Sequence, residues 1–146
     1  NPEGKSWIKK GDPGYDQEAI NSGKDLEHKE LTEQIIGCAI EVHKRLGPGC
    51  LESIYEKAFI IELQKRNLVV ERQREVVINY DGFEVGKHRL DLIVEDTIVV
   101  ELKAVKTIQD IHFAIVRSYL KALGKEHGLL INFSKPVLEV KRVIYK

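Results

Sequence analysis

Methionine is absent from the 146 residues, cysteine occurs only twice, and proline only four times. The missing methionine and the opening Asn1 lead us to expect a processed or truncated product whose natural start lies elsewhere. Two cysteines, Cys38 and Cys50, cannot build the disulfide framework of a small secreted domain. They read as free thiols of a reducing compartment, which points to the cytoplasm. No apolar run approaches the roughly 20 residues of a membrane span, and no signal-peptide pattern opens the chain, so no membrane partner is expected. An excess of either charge is also lacking, with 23 basic against 23 acidic residues. That argues against a strongly basic coat for indiscriminate nucleic-acid binding, although a local patch can sit inside a neutral total.

What remains suits a single folded core: 42% hydrophobic and 32% charged residues. Residues 1–30 are the exception. They are rich in Gly, Pro, Asp, Asn and Lys and read as an irregular N-terminal arm, followed by one domain over 31–146. Trp7, Ile8 and Tyr15 on that arm are candidate anchors, for the chain's own domain, a second copy in a homo-oligomer, or a partner protein.

From Glu30 onward the pattern is helical, with Leu31, Ile35, Ala39, Val42 and Leu46 on one face. Gly47-Pro48-Gly49 stops it. A second helix follows over 51–66, with Leu51, Ile54, Ala58 and Ile61 expected inward. The period then changes to two. A strand starts at Val76, turns at Tyr80-Asp81-Gly82, and returns over 85–94 with Leu90, Leu92 and Val94 on one face. Glu95-Asp96 turns into a strand over 97–104 whose apolar density suggests a central place in the sheet. A helix over 108–123, a buried strand over 128–133 and an edge strand over 138–145 complete an α/β chain.

Three charged residues interrupt the apolar runs of LDLIVEDTIVVELK. Alternation puts Asp91 opposite the face of Leu92, and Glu101 and Lys103 opposite that of Leu102. If the hairpin through Glu95-Asp96 is tight, both carboxylates reach one place. Two converging carboxylates repel, and a divalent cation relieves that repulsion; hard oxygen donors suit Mg²⁺ or Mn²⁺. Lys103 beside them could orient a water or steady a phosphate, the chemistry of metal-assisted phosphodiester hydrolysis. An ordinary solvated hairpin with a same-face Glu–Lys pair gives the same pattern. Upstream, Gly49, Glu52 and Tyr55 recur every third residue around a helix start, where the dipole favours an anion. That too has a plain reading, a helix-start glutamate and a packed tyrosine. Arg89 falls on the face of Asp91 by alternation and could contact a phosphate or simply be solvated.

Taken together, EVHKRLGPGCLESIYEKAFIIEL (41–63), HRLDLIVEDTIVVELKAV (88–105) and LLINFSKP (129–136) resemble the GxxExxY proteins, a branch of the PD-(D/E)XK nuclease superfamily. The resemblance runs from Glu30 to the C-terminus. It implies a restriction-endonuclease-like core, a mixed sheet flanked by helices, and a Mg²⁺- or Mn²⁺-dependent nuclease acting on nucleic acid. It assigns Asp91 and Glu101 to the metal, Glu52 to the supporting helix carboxylate, and Lys103 to catalysis. Gly49 and Tyr55 match the positions that name the branch. In HFAIVRSY (112–119), His112 and Tyr119 match positions facing substrate, but Ile115 stands where many relatives have Gln. With Arg89 and Tyr55, His112 and Tyr119 complete the expected substrate contacts. The departure at Ile115 keeps a second reading open: a PD-(D/E)XK-fold module that binds or assembles without efficient turnover.

Overall fold

The computed structural model describes residues 17–146, with side chains from residue 28 onward. Trp7, Ile8 and Tyr15 lie outside the described residues. The described residues divide into two units, one ending at Gln34 and the other running over Ile35–Lys146. Helix α1 spans Gln17–Leu46, so the helix begins at Gln17 and not at Glu30 as expected. Residues 17–29 are polar but rich in Gln, Glu, Ala, Lys and Leu, all good helix formers, and Gly23 costs only about 1 kcal/mol. Polarity, which made this stretch look like an arm, does not oppose helix.

The larger unit continues with α2 (Glu52–Lys65), β1 (Val70–Tyr80), β2 (Phe83–Val94), β3 (Ile98–Lys103), α3 (Asp110–Leu123), β4 (His127–Asn132) and β5 (Glu139–Ile144). The five strands form one sheet in the order β1-β2-β3-β4-β5. β3 and β4 are parallel, as the α3 crossover between them requires. The other neighbours are antiparallel. β3 is therefore central, and Ile98, Val99, Val100, Glu101 and Leu102 are all buried, which needs cover on both faces. Val116 and Leu120 of α3 pack with Val99, Leu130 and Val143. At the end of α3, Gly124 takes the left-handed φ of 68° that a C-cap calls for.

Turns fix the register. Asp81-Gly82 have φ of 50° and 80°, and Glu95-Asp96 have 53° and 48°, the left-handed pair of a two-residue hairpin. The second turn is tight, with the Thr97 N–H donating to the Val94 carbonyl at 3.0 Å. Asp96 tolerates left-handed backbone through its short polar side chain, and Glu95 is held there by Val69, whose N–H donates to Glu95 Oε2 at 2.6 Å and whose carbonyl accepts the Glu95 N–H at 2.7 Å.

Three local expectations need correction. β1 starts at Val70, not Val76, and pairs with β2 along its length. Its first half, VERQRE, is too polar to alternate visibly. On α2 the buried stripe is Tyr55, Phe59 and Leu63, while Leu51, Ile54 and Ile61 are exposed. The helix carries two apolar stripes, and the one with the larger aromatics fills the core. Lastly, Leu90 and Leu92 do not share a face through regular alternation. Leu90 and Ile93 pack in one cluster, although three residues apart on a strand they should point oppositely. β2 changes facing around Asp91.

Candidate active site

The β2–β3 ladder pairs Val94 with Ile98, Ile93 with Val99, and Leu92 with Val100. One step further, Asp91 and Glu101 stand opposite each other, and there the ladder gives way to carboxylates. The Asp91 N–H donates to Glu101 Oε1 at 2.8 Å, and the Leu102 N–H donates to Asp91 Oδ2 at 2.9 Å. Each strand's acid thus takes a backbone N–H of the other strand. The charged pair is built into the place where β2 and β3 part.

Burial dominates its electrostatics. Glu101 is only 5% exposed. Desolvation, followed by the charge of Asp91, pushes its carboxyl up to about 8. Asp91 is also raised, chiefly by burial, against the N–H of Leu102 and the nearby Lys103 ammonium, which favour its charged form. Two such groups cannot both ionise cheaply in a dry place. Without a cation, burial and the neighbouring acid favour a proton on the pair.

Around this pair the other expected residues take different roles. Lys103 lies two residues along β3 from Glu101, and its ammonium favours ionisation of both acids. Glu52, at the start of α2, reaches the end of β3: its Oε1 accepts from the Ala104 N–H at 3.1 Å. Tyr119 of α3 is buried, and its hydroxyl is pushed up to about 12 by burial and by the charges of Glu101 and Asp91, so it faces the acids as a neutral phenol. Its ring sits 5.9 Å from that of His88. Ile115, one turn earlier, packs against the core cluster.

Three expected substrate contacts have partners within the protein itself. Tyr55 is fully buried; its hydroxyl donates to the Gly47 carbonyl at 2.6 Å and accepts from the Cys50 N–H at 3.1 Å. Its ring stacks on Phe133 at 4.4 Å. Both hydrogen-bonding capacities being used, Tyr55 holds the loop before α2 and is not open to substrate. Gly49 in that loop has φ 108°, which a side chain would strain. The Gly–Glu–Tyr spacing thus sets a loop, a carboxylate at the sheet, and a clamp on the loop. His112 caps its own helix, with Nδ1 accepting from the Gln109 N–H at 2.9 Å. Arg89 is loosely paired with Glu75 at 3.9 Å and largely exposed, and the change of facing at Asp91 removes the alternation that put the two together.

Two residues escaped the sequence reading. Asn132 is wholly buried opposite Lys103 in the β3–β4 register. Its side chain donates to the Val105 carbonyl at 2.8 Å and accepts from the Val105 and Ser134 N–H groups at 3.1 and 3.2 Å. It ties down the chain leaving Lys103; a lone Asn in GLLINF was the available signal. Glu56, one turn beyond Glu52, accepts from Arg72 Nε at 3.3 Å and Gln73 Nε2 at 3.3 and 3.4 Å, and its charge bears on Asp91. Nothing in its spacing separated it from a solvated helix acid.

As to a cation, the donors are hard carboxylate oxygens, and a dication would remove the like-charge penalty that raises Glu101. Among the described residues no three His, Cys, Asp or Glu side chains gather as one ligand set. Two carboxylates are nevertheless what Mg²⁺ commonly takes, with water completing its shell. Asp91 and Glu101 fit such an ion; Glu52 is engaged at the strand end.

Comparison with known proteins agrees with the architecture. The profile of the PD-(D/E)XK nuclease superfamily matches residues 29–143. The crystal structure of SSO0001 is similar in fold, with a TM-score of 0.51 at 22% identity, over 63% of this chain and 48% of that one. The chain therefore spans about half the length of that solved protein. No curated protein matches. Among the described residues no helix is long and apolar enough to cross a membrane.

Proposed function

Because the chain belongs to the PD-(D/E)XK nuclease superfamily, we propose that it is a Mg²⁺- or Mn²⁺-dependent nuclease of the GxxExxY branch, hydrolysing phosphodiester bonds of nucleic acid. The observation that carries this reading is the meeting of Asp91 and Glu101 where β2 and β3 part, with Lys103 beside them. Asp91 and Glu101 would hold a Mg²⁺ or Mn²⁺ ion, which would supply Lewis-acid polarisation of a phosphate oxygen and an acidified water.

The chain's own groups do the rest. Lys103 presents a cation to the phosphate or to the attacking water, held in place by the β3–β4 pairing with Asn132. Glu52 accepts the Ala104 N–H and fixes the end of β3. Tyr119 offers a neutral hydroxyl donor beside the acids.

Ile115 favours the second reading, a binding or assembly module of low turnover. It packs into the cluster beneath α3, where an amide could otherwise face the site.

The test is hydrolysis of single- and double-stranded DNA and RNA with Mg²⁺ or Mn²⁺, with Lys103→Ala as control. Cleavage by wild type alone supports the nuclease. Equal cleavage by both proteins indicates contamination. No cleavage and no Mn²⁺ uptake by wild type turns the reading to the binding module.

A further inference from the structure

Gln73 has φ 53°, a left-handed backbone in the middle of β1 for a residue that is not glycine. Such a conformation costs about 1–3 kcal/mol and persists only where the surroundings impose it. It lies at a telling place. β1 pairs Arg72 with Leu92 and Arg74 with Leu90, so Gln73 stands opposite Asp91, and that pair alone is skipped in this part of the ladder.

The kink explains two things regular strands forbid. Consecutive residues of a strand point to opposite faces. Yet Arg72 Nε and Gln73 Nε2 both donate to Glu56 Oε1, at 3.3 Å each. Across the ladder, β2 changes facing between Leu90 and Ile93, which pack in the same cluster. Both strands therefore turn at one level, and Asp91 is at that level. Glu56, largely buried and bound to both neighbours, is the clamp.

Resting on the nuclease reading, we infer that Gln73 is a positioning residue of the metal site. Its left-handed backbone, locked by Glu56, lets β2 turn so that the Asp91 carboxylate leaves the ladder and meets the Leu102 N–H and Glu101. The requirement falls on the backbone first. Glycine adopts this φ freely and Asn tolerates it, whereas a β-branched side chain cannot without strain.

The experiment compares Gln73→Gly, Gln73→Asn and Gln73→Val in the full chain. One measurement is Mn²⁺ affinity with the metal alone. The other is amide hydrogen exchange without metal at Leu102 and Asp91, whose N–H groups bind the site carboxylates, against Val99 and Leu130 in the core. Gln73→Gly and Gln73→Asn, which accept the left-handed φ and leave Glu56 its bond to Arg72, should keep wild-type affinity and protection at all four amides. Gln73→Val should weaken Mn²⁺ binding by about 10–100-fold, the usual cost of losing a ligand's supporting contact. It should also speed exchange at Leu102 and Asp91 more than at Val99 and Leu130. Equal loss of protection at all four amides would mean a general destabilisation and overturn the inference. So would a Gln73→Gly protein as impaired as Gln73→Val, or a Gln73→Val protein like wild type. If wild type takes up no Mn²⁺, the nuclease reading fails, while the exchange pattern still decides whether Gln73 places Asp91.

Discussion

The hairpin of β2 and β3 holds two acidic pairs of nearly the same composition. At its tip Glu95 and Asp96 form the turn; at its base Asp91 and Glu101 face each other across the strands. They respond to their surroundings in opposite ways. Asp96 is exposed, takes hydrogen bonds from Arg74 and Lys125, and is held below the ordinary carboxylate range. Glu101 is buried with another acid and is pushed up to about 8, first by burial and then by Asp91. Asp96 stabilises the fold by being charged. The base pair is costly when charged, a cost that a bound cation would relieve. Sequence distance and residue type do not separate structural from chemical acids here; solvent and neighbours do.

Substitution at the base should produce the largest effects. Lys103→Ala should lower cleavage by roughly 10²–10⁴-fold, the usual weight of a positioned proton-transfer group, while Mn²⁺ binding stays nearly intact, because an ammonium is not a ligand. Asp91→Ala should lose both cleavage and Mn²⁺ binding; without metal its stability should change little, because relief of the neighbouring acid is offset by a Leu102 N–H left without its acceptor. The corresponding change at the tip, Asp96→Asn, should leave both assays untouched. An equal loss of cleavage at tip and base would erase the distinction.

Between these lies a purely structural test. Tyr55→Phe leaves the Gly47 carbonyl and the Cys50 N–H without their partner, and should cost about 1–3 kcal/mol in denaturant unfolding. Mn²⁺ affinity of the folded protein should be unchanged. A selective loss of metal binding would instead return Tyr55 to the site.

The pH dependence sharpens the comparison further. The folded Glu101 binds its proton more tightly than the unfolded one. Its penalty is therefore absent below the ordinary value of 4.5 and grows as pH rises to about 8. Metal-free wild type should lose melting temperature against Glu101→Gln over that window, and Mn²⁺ should restore it. The sign reverses for Asp96. Its folded pKa is lowered, so its contribution is present above the ordinary value and lost as pH falls through the folded one. Asp96→Asn should flatten the acid side of the curve, by the smallest shift of the set, because the group is fully solvated.

The helices and strands of the larger unit were legible where one face was apolar and the other polar. The Asp81-Gly82 and Glu95-Asp96 turns, Gly124 at the end of α3 and the central place of β3 follow from that patterning and from turn chemistry. Legibility failed where pattern was absent or doubled. The polar beginnings of α1 and β1 carry no periodic signal, and α2 has two apolar stripes, of which the sequence alone could not say which is buried. Asp91, Glu101 and Lys103 stood out because charges in apolar strands demand an explanation. Tyr55, His112 and Arg89 looked equivalent as substrate contacts, and only their partners separated a loop clamp, a helix cap and a solvated cation.

The sequence by itself determined the order of elements, the tight hairpin and the presence of two acids and a lysine at its base, because these rest on local alternation and turn residues. Only the tertiary structure decided that the acids meet where the ladder opens, that Glu101 is buried enough to hold a proton, and that Gln73 and Glu56 stand behind Asp91. Those facts depend on desolvation and on contacts between residues far apart in the chain, such as the bonds of Glu56 to Gln73 and of Glu52 to Ala104. Burial and long-range neighbours set a charge's energy, and neither is written in the residues beside it.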